Sequence, residues 1–139
     1  MVNLKGPFQC SRAAKEPLNA SGDGVIINVS SQAGIRALGT SIPYCASKAG
    51  LINLTIALAR VLGPAIRVNC VAPGFIDGTW LVKEFGDDYE GMKQLFEQHA
   101  PLGKVCTPED VSDAILSFIT GSKLITGQTL VVDGGSIIN

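Results

Sequence analysis

The sequence lacks concentrated charge of either sign and has few residues of the kinds that bind metals. Its 11 lysines and arginines nearly balance its 12 aspartates and glutamates, without a basic block. This balance argues against nucleic acid and anionic membrane surfaces as partners. One histidine, His99, is present, and the four cysteines (Cys10, Cys45, Cys70 and Cys106) lie at least 25 residues apart. We therefore predict no metal centre, a surface position for His99, and buried free thiols.

Long apolar runs are also missing, although the mean hydropathy is +0.30. No run approaches the roughly 18 consecutive apolar residues of a membrane-spanning helix. The first residues, Met1 to Pro7, do not have the charged and apolar segments of a secretory signal. We predict one globular domain of 139 residues, with no membrane as a partner and with a cytoplasmic location.

Helical segments and β-branched runs alternate along the chain. Strands are predicted at Val25–Val29, Ala65–Val71 and Thr129–Val132, and the first is apolar enough to be buried on both faces of a parallel sheet. Helices are predicted at Val2–Leu18, with a start or kink at Gly6-Pro7, at Tyr44–Leu62, and from a Thr107 cap to Thr120. In the first helix, Leu4, Phe8, Cys10 and Ala14 lie roughly on one side. Loops are predicted at Asn19–Gly24 and Ser30–Pro43. The alternation predicts an α/β fold with right-handed crossovers.

Two residues at the start of the long helix have a chemical use as a pair. Tyr44 and Lys48 are four residues apart, so both side chains project from the same face. A nearby ammonium favours the phenolate and moves the tyrosine pKa toward a range useful for acid/base catalysis. Such pairs are common in helices, and the context of this one gives it weight: Ser30-Ser31 ends a strand thirteen residues before Tyr44.

A segment rich in aromatic and charged residues, Glu84 to Leu102, follows the carboxyl end of the second strand. Ligands bind at that end of open α/β sheets. Short helices here would either form a lid over a site or be an ordinary surface insertion.

Several ordered blocks resemble the C-terminal half of the short-chain dehydrogenase/reductase family, and within it the 3-oxoacyl-carrier-protein reductases. The resemblance covers nearly the whole chain. Its blocks are Asn3 to Phe8, Ile27 to Ser31, Tyr44 to Gly50, Ile66 to Gly74, Pro108 to Val111, Thr126 to Gln128, and Val132 to Gly135.

The resemblance implies four catalytic roles. Tyr44 would be the acid/base at the substrate oxygen, while Lys48 would lower its pKa and hold the nicotinamide ribose. Ser31, by its spacing to Tyr44, would polarise the substrate carbonyl, and Asn3 would support a water relay to Lys48. These roles suit hydride transfer, which builds negative charge on an oxygen while the cofactor carries the difficult step.

The resemblance also implies the residues around an NAD or NADP cofactor. Tyr44 and Lys48 would touch it, and Pro73, Gly74 and Ile76 would form its wall. Thr79 is the matching threonine, one position later than in the common family pattern. The expected function is NAD(P)-dependent hydride transfer between the cofactor and a small ketone or secondary alcohol. Specificity would lie in residues 32–43 and 78–102, and a homo-oligomer, dimer or tetramer, is expected.

The glycine-rich dinucleotide fingerprint of the family is absent from these 139 residues. The expected fold is therefore the second half of a doubly wound Rossmann-type parallel sheet, about three strands with flanking helices, forming a single partial domain over residues 1–139. Two hypotheses follow. Either the chain is the catalytic half of an oxidoreductase, or it is a truncated, non-catalytic remnant that acts only by association with other subunits.

Overall fold

The computed structural model describes residues 2–38 and 41–139, and it has the predicted α/β architecture. Its strands are β1 (Gly24–Val29), β2 (Ile66–Pro73) and β3 (Thr129–Val132). Its α-helices are α1 (Val2–Ser21), α2 (Ala33–Arg36), α3 (Ile42–Leu62), α4 (Thr79–Phe85), α5 (Tyr89–His99) and α6 (Pro108–Thr120). Short 3-10 turns cover Gly86–Asp88 and Ser136–Ile138.

Within the described residues the sheet has the order β1-β2-β3, and both pairings are parallel. The central strand is buried along its whole length, because helices cover both of its faces. One core cluster joins Leu58 and Ala59 of α3 to Ile66 and Val68. On the other face, Val71 packs with residues of α6. The expectation of a three-stranded parallel sheet with flanking helices is confirmed.

The predicted face of α1 is partly wrong. Leu4, Pro7, Ser11, Ala14 and Leu18 are buried or half-buried, whereas the predicted inward residues Phe8 and Cys10 are exposed. The inward residues repeat every three or four positions, which keeps them on one side of a helix. The helix is also continuous through Pro7 and Pro17, and it ends three residues later than Leu18.

The four thiols are free, but only Cys70 and Cys106 are buried. Cys45 is half-buried and Cys10 is exposed, so the prediction of buried thiols is wrong for Cys10. His99 is exposed at the end of α5, as predicted, and its Nδ1 lies 2.7 Å from the Leu95 carbonyl oxygen. Within residues 2–38 and 41–139, no three His, Cys, Asp or Glu side chains group as metal ligands.

The predicted loop between β1 and α3 contains a short helix, α2, and α3 begins two residues before Tyr44. Ser41 caps α3 by accepting a hydrogen bond from the Tyr44 N–H at 3.3 Å, and proline occupies the first turn. Gly39 and Thr40, which belong to the predicted loop, lie outside the described residues.

One helix among the described residues, α3, passes a test of length and composition for a membrane span. The most apolar window of α3 has a mean hydropathy of 1.4. A core helix of a soluble protein meets the same criterion, and α3 packs on β2 and α1.

The carboxyl ends of the three strands meet at one edge of the sheet. The Ser30 N–H donates to the Val71 carbonyl at 2.8 Å, and the Gln32 N–H donates to the Pro73 carbonyl at 2.9 Å. The Gly74 N–H in turn donates to the Val132 carbonyl at 2.8 Å. Residues following each strand are therefore held side by side.

Candidate active site

Helix α3 presents Tyr44 and Lys48 together at this edge. The Lys48 Nζ lies 5.7 Å from the centre of the Tyr44 ring, as their spacing of one helical turn predicts. Both side chains are half-buried. A cation at this distance over an aromatic ring is electrostatically attracted to it, so the pair is a contact as well as a sequence pattern.

The Lys48 ammonium is anchored to the first strand. Its Nζ donates a hydrogen bond to the Val29 carbonyl at 2.9 Å, at the end of β1. Burial lowers the pKa of Lys48, because partial removal from water disfavours the charged form. The cation is thus positioned between α3 and β1 and faces the edge where the strands end.

Ser31 is the second residue after β1 and is half-buried. Its Oγ accepts a hydrogen bond from the Ala33 N–H at 3.2 Å, which fixes the side chain against the start of α2. The hydroxyl retains one hydrogen that it can donate. Ser31 therefore has the chemistry that the resemblance requires of it, a donor for a carbonyl oxygen.

Two neighbours hold Ser31 relative to Lys48, and sequence reasoning assigned no role to either. The Ser30 side chain is buried, and its Oγ donates to the Lys48 carbonyl at 2.8 Å. Gly34 lies so close to α3 that a Cβ there would be 2.6 Å from the Lys48 carbonyl carbon. Repeated serines and an isolated glycine after a strand are the only sequence signals of this packing.

The Asn3 side chain contacts α3 at Ser47, the residue before Lys48. Its Nδ2 donates to the Ser47 Oγ at 3.3 Å, and the Ser47 Oγ donates to the Tyr44 carbonyl at 2.8 Å. The structure thus connects Asn3 to the helix segment that carries the pair, through Ser47. A water relay from Asn3 to Lys48 stays a prediction.

Pro73 and Gly74 lie where β2 ends, next to the end of β3. A Cβ on Gly74 would be 2.7 Å from the Asp133 Cβ, so only glycine allows the two strand ends to approach this closely. Further along, Ile76 and Thr79 line a cleft of about 500 Å³. Its remaining lining residues are Gly78, Trp80, Leu81 and Pro108.

The segment Glu84 to Leu102 contains the end of α4, a 3-10 turn and α5, and it packs on the chain that follows β2. The Phe75 ring lies 4.9 Å from the Phe96 ring and 6.0 Å from the Tyr89 ring, measured between centres. Asp77 accepts hydrogen bonds from the Tyr89 hydroxyl and from the Lys93 Nζ, the latter at 2.5 Å. These bonds lower the pKa of Asp77, with the Lys93 bond the larger cause, and the bond to Asp77 raises the pKa of Lys93.

Comparison with known proteins places this arrangement in a family. A family model described as enoyl-(acyl carrier protein) reductase matches residues 1–136. The short-chain dehydrogenase/reductase homolog YusR of Bacillus subtilis is 38% identical over 135 residues, which are 97% of this chain and 100% of that protein. The chain belongs to the short-chain dehydrogenase/reductase family.

Other members of the short-chain dehydrogenase/reductase family are longer. The 3-oxoacyl-(acyl-carrier-protein) reductase FabG of Chlamydia trachomatis is 41% identical over 136 residues, which cover 96% of this chain and 53% of that protein. The chain spans about half the length of FabG and of other curated relatives, whereas it covers the full length of YusR.

Solved structures of the family show the same fold. The aldohexose dehydrogenase of Thermoplasma acidophilum superimposes with a TM-score of 0.88 at 29% identity, over 99% of this chain and 57% of that one. A SCOR enzyme from Clostridium thermocellum superimposes with a TM-score of 0.83 at 38% identity, over 99% of this chain and 51% of that one. The Rossmann-type expectation for the fold is confirmed.

Proposed function

We propose that this chain carries the catalytic residues of an NAD(P)-dependent oxidoreductase that interconverts a small ketone and a secondary alcohol. The observation that carries the proposal is the pairing of Tyr44 and Lys48 on one face of α3, beside the end of β1. Ser31 follows that strand and adds a hydroxyl donor. Membership in a family of oxidoreductases supports the same conclusion.

The residues present suit the nicotinamide end of such a cofactor. Lys48 offers a partly desolvated ammonium for ribose hydroxyls, and Tyr44 offers a phenol beside it. Gly74 is closely packed at the end of β2, where Pro73 also lies, while Ile76 and Thr79 line the neighbouring cleft, whose lining does not include Tyr44 or Lys48. The 139 residues contain no glycine-rich turn of the kind that cradles a pyrophosphate, so the fit concerns the nicotinamide end alone.

When bound, the nicotinamide ring supplies or accepts the hydride. During reduction, the Tyr44 hydroxyl gives its proton to the substrate oxygen, and the Ser31 hydroxyl donates a hydrogen bond to the same atom. The phenolate left on Tyr44 is stabilised by the Lys48 ammonium, since an adjacent positive charge favours the ionised form. In oxidation of an alcohol, the proton moves in the opposite direction. General acid/base catalysis of this type contributes about 10²- to 10⁴-fold in rate.

The proposal is tested by two substitutions on α3 with a matched control. Tyr44→Phe removes the proton and keeps the ring, so we expect kcat to fall by at least about 100-fold without loss of folding. Lys48→Met should also lower kcat. Arg60→Met removes an exposed cation from the far end of the same helix and should change neither rate nor fold. An unchanged kcat in Tyr44→Phe would refute the role of Tyr44.

The assay requires the protein as its source cells make it. Purification through a C-terminal tag followed by intact mass measurement gives its true size. A species about twice the 14.5 kDa of this chain would support the oxidoreductase. A species of 14.5 kDa without nicotinamide-dependent turnover would refute it and favour the remnant that acts by association.

The expected homo-oligomer is part of the proposal. Its support is the family resemblance, and a partner subunit could cover Ile56 and Val61, two apolar residues that α3 leaves exposed. Light scattering on the purified protein measures the state directly, and a monomer at micromolar concentration would contradict the expectation.

A further inference from the structure

The chain between β2 and α4 is held from two sides. On one side, the Asp77 N–H donates to the Cys106 carbonyl at 2.7 Å, and the Cys106 N–H donates to the Phe75 carbonyl at 2.9 Å. These bonds form a short parallel bridge between Ile76 and Cys106. The backbone of residues 75–77 is therefore fixed to the segment that leads into α6.

On the other side, the Asp77 side chain holds α5. Tyr89 and Lys93 are one helical turn apart, and both donate to the Asp77 carboxylate, the first to Oδ1 and the second to Oδ2. Tyr89 is buried, so its hydroxyl would lose a partner without Asp77. Charge-assisted hydrogen bonds of this kind are stronger than neutral ones.

Helix α4 depends on these attachments for its position. The seven residues Thr79–Phe85 include no buried residue, so the helix has little packing of its own. It is attached at its start through the chain after Asp77, and at its end through the Phe85 ring, which stacks on Phe75 at 6.3 Å. A change at Asp77 therefore acts on the start of α4, where Thr79 and Trp80 line the cleft.

We propose that Asp77 is a positioning residue, whose bonds to Tyr89 and Lys93 fix residues 76–79 and hold α4 over the cleft. This inference rests on the proposed function, because it assigns to Asp77 the placement of Ile76 and Thr79 as cofactor wall. Asp77 acts through these neighbours and takes no part in proton transfer.

The single tryptophan of the chain reports on the position of α4 without any need for activity. Trp80 lies in the first turn of α4 and is 70% exposed. Its emission and its quenching by acrylamide change if α4 moves. The test compares Asp77→Asn, which keeps the size of the side chain and removes its charge, with Asp23→Asn as a matched control. The Asp23 carboxylate also accepts a hydrogen bond from one lysine, Lys123, in an exposed ion pair. Asp23 directly precedes β1, whereas the candidate site lies at the carboxyl end of that strand.

We expect Asp77→Asn to alter Trp80 quenching and to raise KM for the nicotinamide nucleotide roughly tenfold, with kcat reduced much less. Lys93→Met should reproduce both effects, and Lys93→Arg should retain wild-type behaviour. Asp23→Asn should alter neither quantity, even if both aspartate variants lose the same stability.

Two failures are distinguishable. Trp80 quenching that is equal in Asp77→Asn, Lys93→Met and Asp23→Asn would overturn the inference, whatever the activity. A wild-type protein without nicotinamide-dependent activity, but with altered quenching in Asp77→Asn, would refute the proposed function and leave the attachment of α4 to Asp77 supported. A lower kcat with unchanged KM in Asp77→Asn would overturn the positioning of the cofactor wall.

Discussion

Replacing Gly34 by alanine is expected to separate α2 from α3 beneath the candidate site. An added Cβ would lie 2.6 Å from the Lys48 carbonyl carbon, 2.8 Å from the Ala49 nitrogen and 2.9 Å from the Lys48 oxygen. All three atoms belong to the backbone, so no side-chain rotation relieves the clash. Ordinary contact begins at 3.4 Å, which requires a shift of about 0.8 Å from 2.6 Å. The Ser30 bond to the Lys48 carbonyl, at 2.8 Å, resists that shift.

Overpacking of this kind costs about 1 to 3 kcal/mol. Gly91→Ala is the matched control: nothing lies within 4 Å of its Cβ position in α5, and alanine there should stabilise the helix by about 0.4 to 1 kcal/mol. Each kcal/mol shifts Tm by about 3 to 5 °C in a chain of this size. Thermal unfolding followed by circular dichroism should therefore place Gly34→Ala below wild type and Gly91→Ala at or above it. Equal Tm values for the two variants would refute the argument from packing.

Two further predictions concern polar contacts. Thr55 is fully buried, and its Oγ1 accepts from the Asn28 Nδ2 at 2.9 Å; Thr55→Val should cost about 1 to 3 kcal/mol in urea unfolding, with Thr55→Ser closer to wild type. Hydrogen bonds from Thr107, first from its N–H and then from its hydroxyl, lower the pKa of Asp110. Because the folded pKa lies below the unfolded one, the stability from Asp110 is present at neutral pH and is lost as pH falls through the folded pKa. The Tm gap between wild type and Asp110→Asn should accordingly close below pH 3.8, and a pH-independent gap would contradict this assignment.

Local patterns predicted most of the elements because their causes are local. The nearly continuous apolar, β-branched run Val25–Val29 predicts a strand, and β1 covers Gly24–Val29. Its predicted burial on both faces is wrong in part, because most of its residues are half-buried and Val29 is exposed. Thr107 followed by Pro108 and Asp110 predicts a helix start, and the structure has a complete capping box there. The spacing of Tyr44 and Lys48 places them on one helix face, since helical periodicity alone determines that relation.

Contacts between distant parts of the chain were decided by tertiary structure. Helix α2 forms where the sequence predicts only a loop, because contacts with distant residues hold it in place. Gly34 lies against the backbone of α3, and the Gln32 N–H donates a hydrogen bond to the Pro73 carbonyl at the end of β2. Cys10 is exposed because the packing of α1 on α3 and β1 buries the side of the helix that carries Leu4, Ser11 and Leu18, and Cys10 lies off that side.

The sequence by itself determined the order of the three strands and of the long helices between them, the family resemblance, and which residues are candidates for catalysis, because these depend on short spacings and ordered motifs. Only tertiary structure connected Asp77 to Tyr89 and Lys93, which are 12 and 16 residues further along the chain. No periodicity relates residues on a loop to residues on a separate helix. Their contact depends on how α5 packs on Phe75, and that packing arises only when the whole chain folds.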